Sequence, residues 1–227
     1  MDYLICGKHT VYSACSNKRV KVVYLSESSS KNAKFPDSIK IQIKNKAFFK
    51  KNFDNFNLSH QGYAALVKPI LKYNLNDIIS PQRVKLVALQ GIEDQRNIGS
   101  IIRSCAAFNV DCLLIEKKSF NESSLLMNKS HAGNIEHLKI ITTTNIINQI
   151  KTLKKKDFTI YCLDQNSNQN IKEIKFENKS LILFGSESKG LKQYIKDECH
   201  HNISIKINKN VESLNLSNAV SVTLSHT

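Results

Sequence analysis

Three short polar segments contain the residues of this 227-residue chain that are best suited to chemistry. They are Asn97-Ile98-Gly99 with Arg103 four positions later, Gly185 to Gly190 with Glu187 inside it, and Ser213-Leu214-Asn215. Amide, guanidinium and carboxylate groups orient polar substrates, and glycine lets backbone approach a ligand closely. Arginine is hard to replace where planar, bidentate contact with phosphate or carboxylate is needed. The residue types therefore favour a site for a polar or phosphate-bearing substrate.

Each segment taken alone also fits an ordinary structural role. Helix capping would explain the polar residues of the first and third segments, and a turn from strand to helix would explain the glycines of the second. Arg103 argues against this interpretation, because a cation near the amino end of a helix opposes the helix dipole. Glu187 argues against it too, because an acid in a tight turn calls for a dedicated donor. The candidate caps are Asp94, Asn97, Ser213 and Asn215.

An apolar run that predicts a buried strand precedes each segment. The runs are Val84 to Leu89, Leu181 to Phe184 and Ile203 to Ile207. In open α/β sheets, ligands bind beyond the carboxyl ends of the strands. Three polar segments at such ends predict one composite site, and hence an enzyme.

Alternating strands and helices fill the chain from Val84 onward, and they predict an α/β fold with a mainly parallel sheet covered on both faces. The further strands are expected at 112–115, 139–142 and 158–163, and the helices near 98–108, at 146–154, near 191–196 and from Leu216.

The first third of the chain predicts a separate compact α/β unit over residues 1–75, with residues 76–83 as a linker and residues 84–227 as the main domain. Its strands are expected at 21–25 and 39–43 and its helices at 10–15 and 47–53, with a polar loop or poorly defined helix at 26–34. Of the net charge of +14, residues 1–75 contribute 13 basic minus 4 acidic residues, which is +9. A basic unit attracts polyanions, of which RNA is the usual one. Drift of an AT-rich genome towards lysine codons explains part of this charge.

Several other classes of protein are disfavoured by what the sequence lacks. There is no nucleotide triphosphatase or dinucleotide-binding glycine motif, no stretch of about 20 apolar residues and no secretory signal pattern. The six cysteines contain no Cys-x-x-Cys pair, and Cys199-His200-His201 has no second ligand pair for a metal. The expectation is a reduced, cytoplasmic protein with no metal and no membrane segment.

Together the three segments resemble the motifs of the SpoU (TrmH-like) family of RNA ribose methyltransferases, in the SPOUT superfamily. The similar stretches are Asn97 to Ser104, Leu183 to Leu191 and Ser213 to Ala219. Lys129 to His137 is similar to the family segment between the first two motifs. Gly7 to Val11 and His60 to Gly62 resemble the ribosomal-protein-like RNA-binding domain that many members carry. The sequence departs from the family pattern at Gln95, Lys206 and Asn218, and it ends at Thr227, early in the expected closing helix.

The resemblance implies a carboxyl-terminal trefoil knot, a homodimer and S-adenosylmethionine as cofactor. Gly185, Ile205 and Leu214 are the implied adenosyl contacts, with Ser213 and Glu187 beside them. Arg103, Asn97, Glu187 and Asn215 are the implied catalytic set. Arg103 is either the base for the ribose 2′-hydroxyl or a clamp on the adjacent phosphate, since a guanidinium normally stays protonated.

The implied reaction is methylation of a ribose 2′-hydroxyl, with a guanosine of large-subunit (23S) ribosomal RNA as the leading substrate. The alternatives are a transfer RNA ribose methyltransferase and a non-catalytic RNA-binding or ribosome-assembly factor on the same fold.

Overall fold

The computed structural model describes residues 1–53 and 58–227, which form two compact units. The first unit combines residues 1–71 with residues 121–137, and the second combines residues 72–120 with residues 138–227. Within the described ranges, no helix is both long enough and apolar enough to cross a bilayer.

A mixed four-stranded sheet forms the centre of the first unit, with the order β1-β4-β2-β3. The strands are β1 (Tyr3–Cys6), β2 (Val20–Leu25), β3 (Lys40–Ile43) and β4 (Tyr63–Val67). β4 lies antiparallel to β1 and β2, and β3 lies parallel to β2 at the edge. The helices of this unit are α1 (Lys8–Ser16), α2 (Glu27–Ser30), α3 (Lys46–Phe53) and, further along the chain, α5 (Leu125–His131).

The four elements predicted in the first third correspond to α1, β2, β3 and α3. The sequence reasoning missed β1 and β4, which are short apolar runs without a clear alternation. The polar stretch 26–34 contains the short helix α2, whose cap Ser26 accepts a hydrogen bond from the Ser29 backbone N–H at 3.2 Å. Apolar side chains of α1, among them Val11 and Ala14, pack against this sheet.

The segment 121–137 belongs to the first unit, although the predicted domain boundaries assign it to the second. A buried ion pair joins Glu136 to Arg19, whose guanidinium also donates to the Tyr3 hydroxyl at 2.6 Å. The Ser13 hydroxyl donates to the Gly133 carbonyl at 2.9 Å. A buried charge needs its partner nearby, so this pair fixes the segment to the first unit.

His131 is fully buried in that segment. One ring nitrogen accepts a hydrogen bond from the Gly133 backbone N–H at 3.0 Å, and the other lies 3.1 Å from the Asn128 side-chain oxygen. Burial lowers the pKa of His131 from 6.5 to about 3, and the nearby charge of Arg19 acts in the same direction. His131 is therefore neutral in the folded unit at neutral pH, whereas the unfolded chain binds a proton below pH 6.5.

We predict that the first unit loses stability as the pH falls from 6.5 towards 3. Because the folded pKa lies below the unfolded one, the full contribution of His131 is present above pH 6.5, and it declines by about 1.4 kcal/mol for each pH unit below that. Hydrogen exchange of residues 121–137 between pH 7.5 and 5 measures the effect. His131→Gln flattens the dependence, whereas His137→Gln, at an exposed position, leaves it intact. An unchanged slope in His131→Gln would contradict this assignment.

Six parallel strands form the sheet of the second unit, in the order β10-β8-β9-β5-β6-β7. They are β5 (Val84–Leu89), β6 (Cys112–Glu116), β7 (Lys139–Thr143), β8 (Thr159–Leu163), β9 (Lys179–Phe184) and β10 (His201–Ile203). The helices are α4 (Gln95–Ala107), α6 (Ile146–Lys154), α7 (Gln193–Lys196) and α8 (Leu216–Leu224). The parallel sheet predicted from the alternating pattern is confirmed.

Both faces of this sheet are covered, as the continuous apolar strands predict. Leu86 and Ala88 of β5 lie in one cluster with side chains of α6 and α7. Val87 and Leu89 point to the opposite face and are equally buried. Helix α4 contributes its own buried stripe of Ile98, Ile101, Ile102 and Cys105.

Two predicted boundaries differ from the structure. The predicted linker 76–83 is partly structured. A short 3₁₀ helix at Leu75–Asp77 overlaps its start, and the apolar side chains of Ile78 and Ile79 that follow are buried in the core of the second unit. The predicted strand Ile203 to Ile207 ends at Ile203. Ser204 makes a single bridge to Asn170, and the chain then leaves the sheet. Half-buried and exposed residues continue to alternate over residues 205–208.

Candidate active site

The first polar segment forms the amino end of α4. Asp94 is the cap, and its carboxylate accepts a hydrogen bond from the Arg96 backbone N–H at 2.8 Å. Asn97 therefore has no capping role, and its side chain is buried in the first turn with 8% exposure. A buried amide requires hydrogen-bond partners, and those partners come from the other two segments.

The second segment is a tight loop that follows β9. The Gly190 backbone N–H donates to the Ser186 carbonyl at 2.8 Å, and the Lys189 N–H donates to the Ser186 hydroxyl at 3.3 Å. Gly185 must be glycine, because a Cβ there would lie 2.1 Å from the carbonyl carbon of Gly190. This close approach folds the loop back on itself and holds Glu187 at its tip.

The third segment forms the amino end of α8. Asn215 is the cap, and its side-chain oxygen accepts from the Ser217 backbone N–H at 3.0 Å and from the Ser217 hydroxyl at 2.6 Å. The amide nitrogen of Asn215 remains free to donate elsewhere. The capping interpretation of Asn215 is thus confirmed, and it also fixes the orientation of this side chain.

The three segments meet at one carboxylate oxygen. Oε1 of Glu187 accepts hydrogen bonds from Nδ2 of Asn97 at 3.0 Å, from Nδ2 of Asn215 at 3.0 Å and from the Leu216 backbone N–H at 3.3 Å. Nδ2 of Asn215 also lies 3.1 Å from Oδ1 of Asn97. The amino end of a helix favours a carboxylate, so α8 adds to this arrangement. We call Asn97, Glu187 and Asn215 the polar cluster.

Arg103 does not join the polar cluster. It is exposed, and within residues 1–53 and 58–227 it has neither a hydrogen bond nor an ion pair. Six residues along a helix correspond to about 600° of rotation and 9 Å of rise, so Asn97 and Arg103 occupy different faces of α4. Glu187 and Asn215 therefore orient Asn97, and Arg103 is the one member of the implied catalytic set that lies apart from the other three.

A cavity of about 260 Å³ lies beside the polar cluster in the second unit. All five residues expected to bind a cofactor line it: Gly185, Glu187, Ile205, Ser213 and Leu214. Ile205 comes from the irregular stretch that follows β10, in place of the predicted strand. The cavity therefore combines apolar side chains with the backbone of two tight loops.

The sequence reasoning missed Asp164 and Lys196, which also line this cavity. They form an ion pair with 2.6 Å between Lys196 Nζ and Asp164 Oδ2, and their side chains are only 18% and 15% exposed. Asp164 directly follows the predicted strand Phe158 to Leu163. The rule used for the other strand ends would have identified it.

No group of His, Cys, Asp and Glu side chains in the described part of the chain is arranged to hold a metal ion. The six cysteines are free thiols. The polar side chains that line the cavity include the carboxylates of Asp164 and Glu187, the Ser213 hydroxyl and the Lys189 and Lys196 ammonium groups.

We predict that Gly185→Ala destabilises the second unit more than Gly190→Ala does. The added methyl group of the first variant collides with backbone, which must move. Gly190 has a positive φ of 60°, but a Cβ there meets no atom within 4 Å. Its substitution costs only the backbone strain of about 1 kcal/mol. Thermal unfolding compares the two, and equal shifts would contradict the close packing of the loop.

Comparison with known proteins places this geometry in a family. The sequence pattern of the SpoU rRNA Methylase family matches residues 85–225. A TrmH family tRNA/rRNA methyltransferase of Staphylococcus epidermidis is 29% identical over 231 residues, which cover 97% of this chain and 93% of that relative. One from Staphylococcus aureus is 31% identical over 171 residues, which cover 73% of this chain and 69% of that relative.

The fold agrees with a solved structure as well. The SpoU methyltransferase AviRb of Streptomyces viridochromogenes, crystallised with AdoMet, superposes with a TM-score of 0.83 at 17% identity. The match covers 99% of this chain and 88% of that one. At this identity the likeness concerns the fold.

The family match identifies the chain as an RNA methyltransferase. The chain belongs to the SpoU family, and its relatives carry the name TrmH.

Proposed function

We propose that this chain transfers a methyl group from S-adenosylmethionine to a ribose 2′-hydroxyl of RNA. The observation that carries the proposal is the polar cluster, in which one Glu187 oxygen joins three loops beside a cavity. Family membership supplies the class of reaction, and AviRb is a member crystallised with this cofactor.

The residues of the cavity fit an adenosyl group and a sulfonium. Ile205 and Leu214 provide apolar contact for a base, and the backbone of the loops at Gly185 and Ser213 provides hydrogen-bonding groups. The volume of about 260 Å³ lies just below the range of about 300–1,000 Å³ that ligand sites occupy. Glu187 places a negative charge where a cationic donor would be held. When bound, the cofactor supplies an activated methyl group.

The residues of the chain supply orientation and charge. Oε1 of Glu187 holds Asn97 and Asn215 in place. Among the described residues, the second hydrogen of the Asn97 amide nitrogen and the Oε2 atom of Glu187 are the groups of this cluster left for a ribose or its neighbouring groups. Holding reactants in line accounts for much of the rate of a displacement reaction. Arg103 is exposed and unpaired among the described residues, which suits a phosphate clamp. The ribose proton then passes to the clamped phosphate or to water, and the alternative is that Arg103 itself accepts it.

We further propose the features implied by the family resemblance: the trefoil knot, the homodimer, a cytoplasmic location and an RNA-binding role for the first unit. A guanosine of 23S ribosomal RNA is the leading substrate. A transfer RNA ribose is the second candidate, because the relatives carry a combined tRNA/rRNA name. Methylation assays on transcripts of each RNA, with mapping of the 2′-O-methyl positions, decide between them.

Arg103→Ala is expected to abolish methyl transfer while leaving S-adenosylmethionine binding measurable, because Arg103 lies outside both the cavity lining and the polar cluster. Transfer of labelled methyl to RNA and calorimetry with the cofactor measure the two effects. Arg83→Ala is the matched control, since Arg83 is exposed at the amino end of β5, away from the carboxyl ends that carry the site. Near-normal turnover in Arg103→Ala would refute the catalytic role.

A wild-type chain that binds RNA but no S-adenosylmethionine would refute the enzymatic proposal itself. The non-catalytic RNA-binding factor would then be the better account.

A further inference from the structure

Lysine is concentrated on β3 and α3 of the first unit. Residues 38–53 contain five lysines and no acidic residue. They are Lys40, Lys44, Lys46, Lys50 and Lys51. Codon drift towards lysine acts over the whole chain and would not by itself produce a segment without acidic residues. The run of lysines therefore indicates a cationic surface.

Exposed apolar side chains lie beside these lysines. β3 is the edge strand of its sheet, and its Ile41 and Ile43 are 44% and 59% exposed. These values place both among the few large apolar side chains left open in the described residues. An edge strand with exposed isoleucines is a contact surface unless something covers it.

A groove of about 590 Å³ lies between the end of β3 and helix α3. Ile43, Ala47 and Phe48 form its apolar floor, and Lys44 and Lys51 stand at its rim. Phe48 and Lys51 are three residues apart on α3 and are therefore neighbours on its surface, whereas Lys44 precedes the helix and contacts the Phe48 ring.

Aromatic rings fix the position of one of the rim lysines. Lys44 Nζ lies 5.5 Å from the ring centroid of Tyr24 and 5.7 Å from that of Phe48, and the two centroids are 5.0 Å apart. Cation–π contact of this kind contributes about 0.5–1 kcal/mol at exposed sites. It holds the ammonium beside the groove without neutralising it, so the charge remains available to an anion.

We infer that this groove binds a single-stranded segment of the RNA substrate, an inference that rests on the proposed function. Single-stranded nucleic acids bind where cations follow the backbone and apolar or aromatic groups meet the bases. Here Lys44 and Lys51 meet phosphates, and Phe48 and Ile43 meet a base. Asn45 and Glu27 also line the groove and offer hydrogen-bonding groups to the edge of a base.

Single-stranded RNA fits this surface better than a duplex does. Paired and stacked bases present phosphates and hydroxyls but no open base faces, and the apolar floor would then remain unused. A protein partner would have to be acidic to match the lysines. Loss of RNA binding when the groove lysines are changed would favour RNA over such a protein as the occupant.

Charge reversal at the groove tests the inference. We expect Lys44→Glu/Lys51→Glu to weaken binding of a fluorescein-labelled single-stranded RNA of about 12 nucleotides by at least about tenfold, and to reduce the salt dependence of binding. The measurement is fluorescence anisotropy on the full chain, with a duplex of the same length for comparison. Ile43→Ser, at an exposed position, removes part of the apolar floor and lowers affinity without changing the salt dependence.

Lys18→Glu/Lys68→Glu is the matched control, with the same change of charge in the same unit. Lys68 donates its backbone N–H to Arg19 beside the start of β2, whereas Lys44 donates to Leu25 at the end of β2. The control pair therefore lies at the opposite end of the sheet, about 20 Å away at 3.3 Å per strand residue. We expect it to change the affinity by less than about threefold.

Equal losses in the two pairs, or a higher affinity for the duplex than for the single strand, would overturn the inference. So would unchanged binding in the groove variant with its fold intact by circular dichroism. The binding assay does not depend on methyl transfer. If RNA binding depends on the groove but the chain methylates no RNA, the proposed function is refuted and the RNA-binding role of the groove stands.

Discussion

One carboxylate oxygen holds the candidate active site together. Oε1 of Glu187 accepts from two amides and one backbone N–H, and these donors belong to α4 and to the start of α8. Hydrogen bonds to a charged acceptor are stronger than neutral ones, at about 1.5–3 kcal/mol each. Without this acceptor the buried amide nitrogen of Asn97 would lose its partner, and only the Asn215–Asn97 hydrogen bond would still join the first and third segments.

Backbone geometry places that carboxylate. The loop after β9 turns sharply because Gly185 lies against Gly190 and Leu191, where a side chain has no room. The cavity beside it is also lined by the Asp164–Lys196 ion pair, whose side chains are mostly buried. Arg103 is exposed and lies apart from these internal contacts.

Much of this arrangement could be predicted from the sequence. Continuous apolar runs identified β5 and β9, and the rule that ligands bind at the carboxyl ends of parallel strands predicted that the three polar segments share one site. The set Arg103, Asn97, Glu187 and Asn215 came from the family resemblance, and three of these four residues meet in the structure. The partner of each side chain could not be predicted, because the contacts of Asn97 join it to Glu187 and Asn215, which lie 90 and 118 residues further along the chain. The same holds for residues 121–137, since the Arg19–Glu136 pair joins positions 117 residues apart.

Affinity for S-adenosylmethionine shows whether the cofactor cavity depends on the Glu187 carboxylate. The measurement is calorimetry on the wild-type chain, Glu187→Ala and the exposed control Glu212→Ala. We expect Glu187→Ala to lose at least about tenfold in affinity, because hydrogen bonds to a charged acceptor are lost, while Glu212→Ala binds like the wild type. Wild-type affinity in Glu187→Ala would show that the three loops form the cofactor site without Glu187 and would contradict the account.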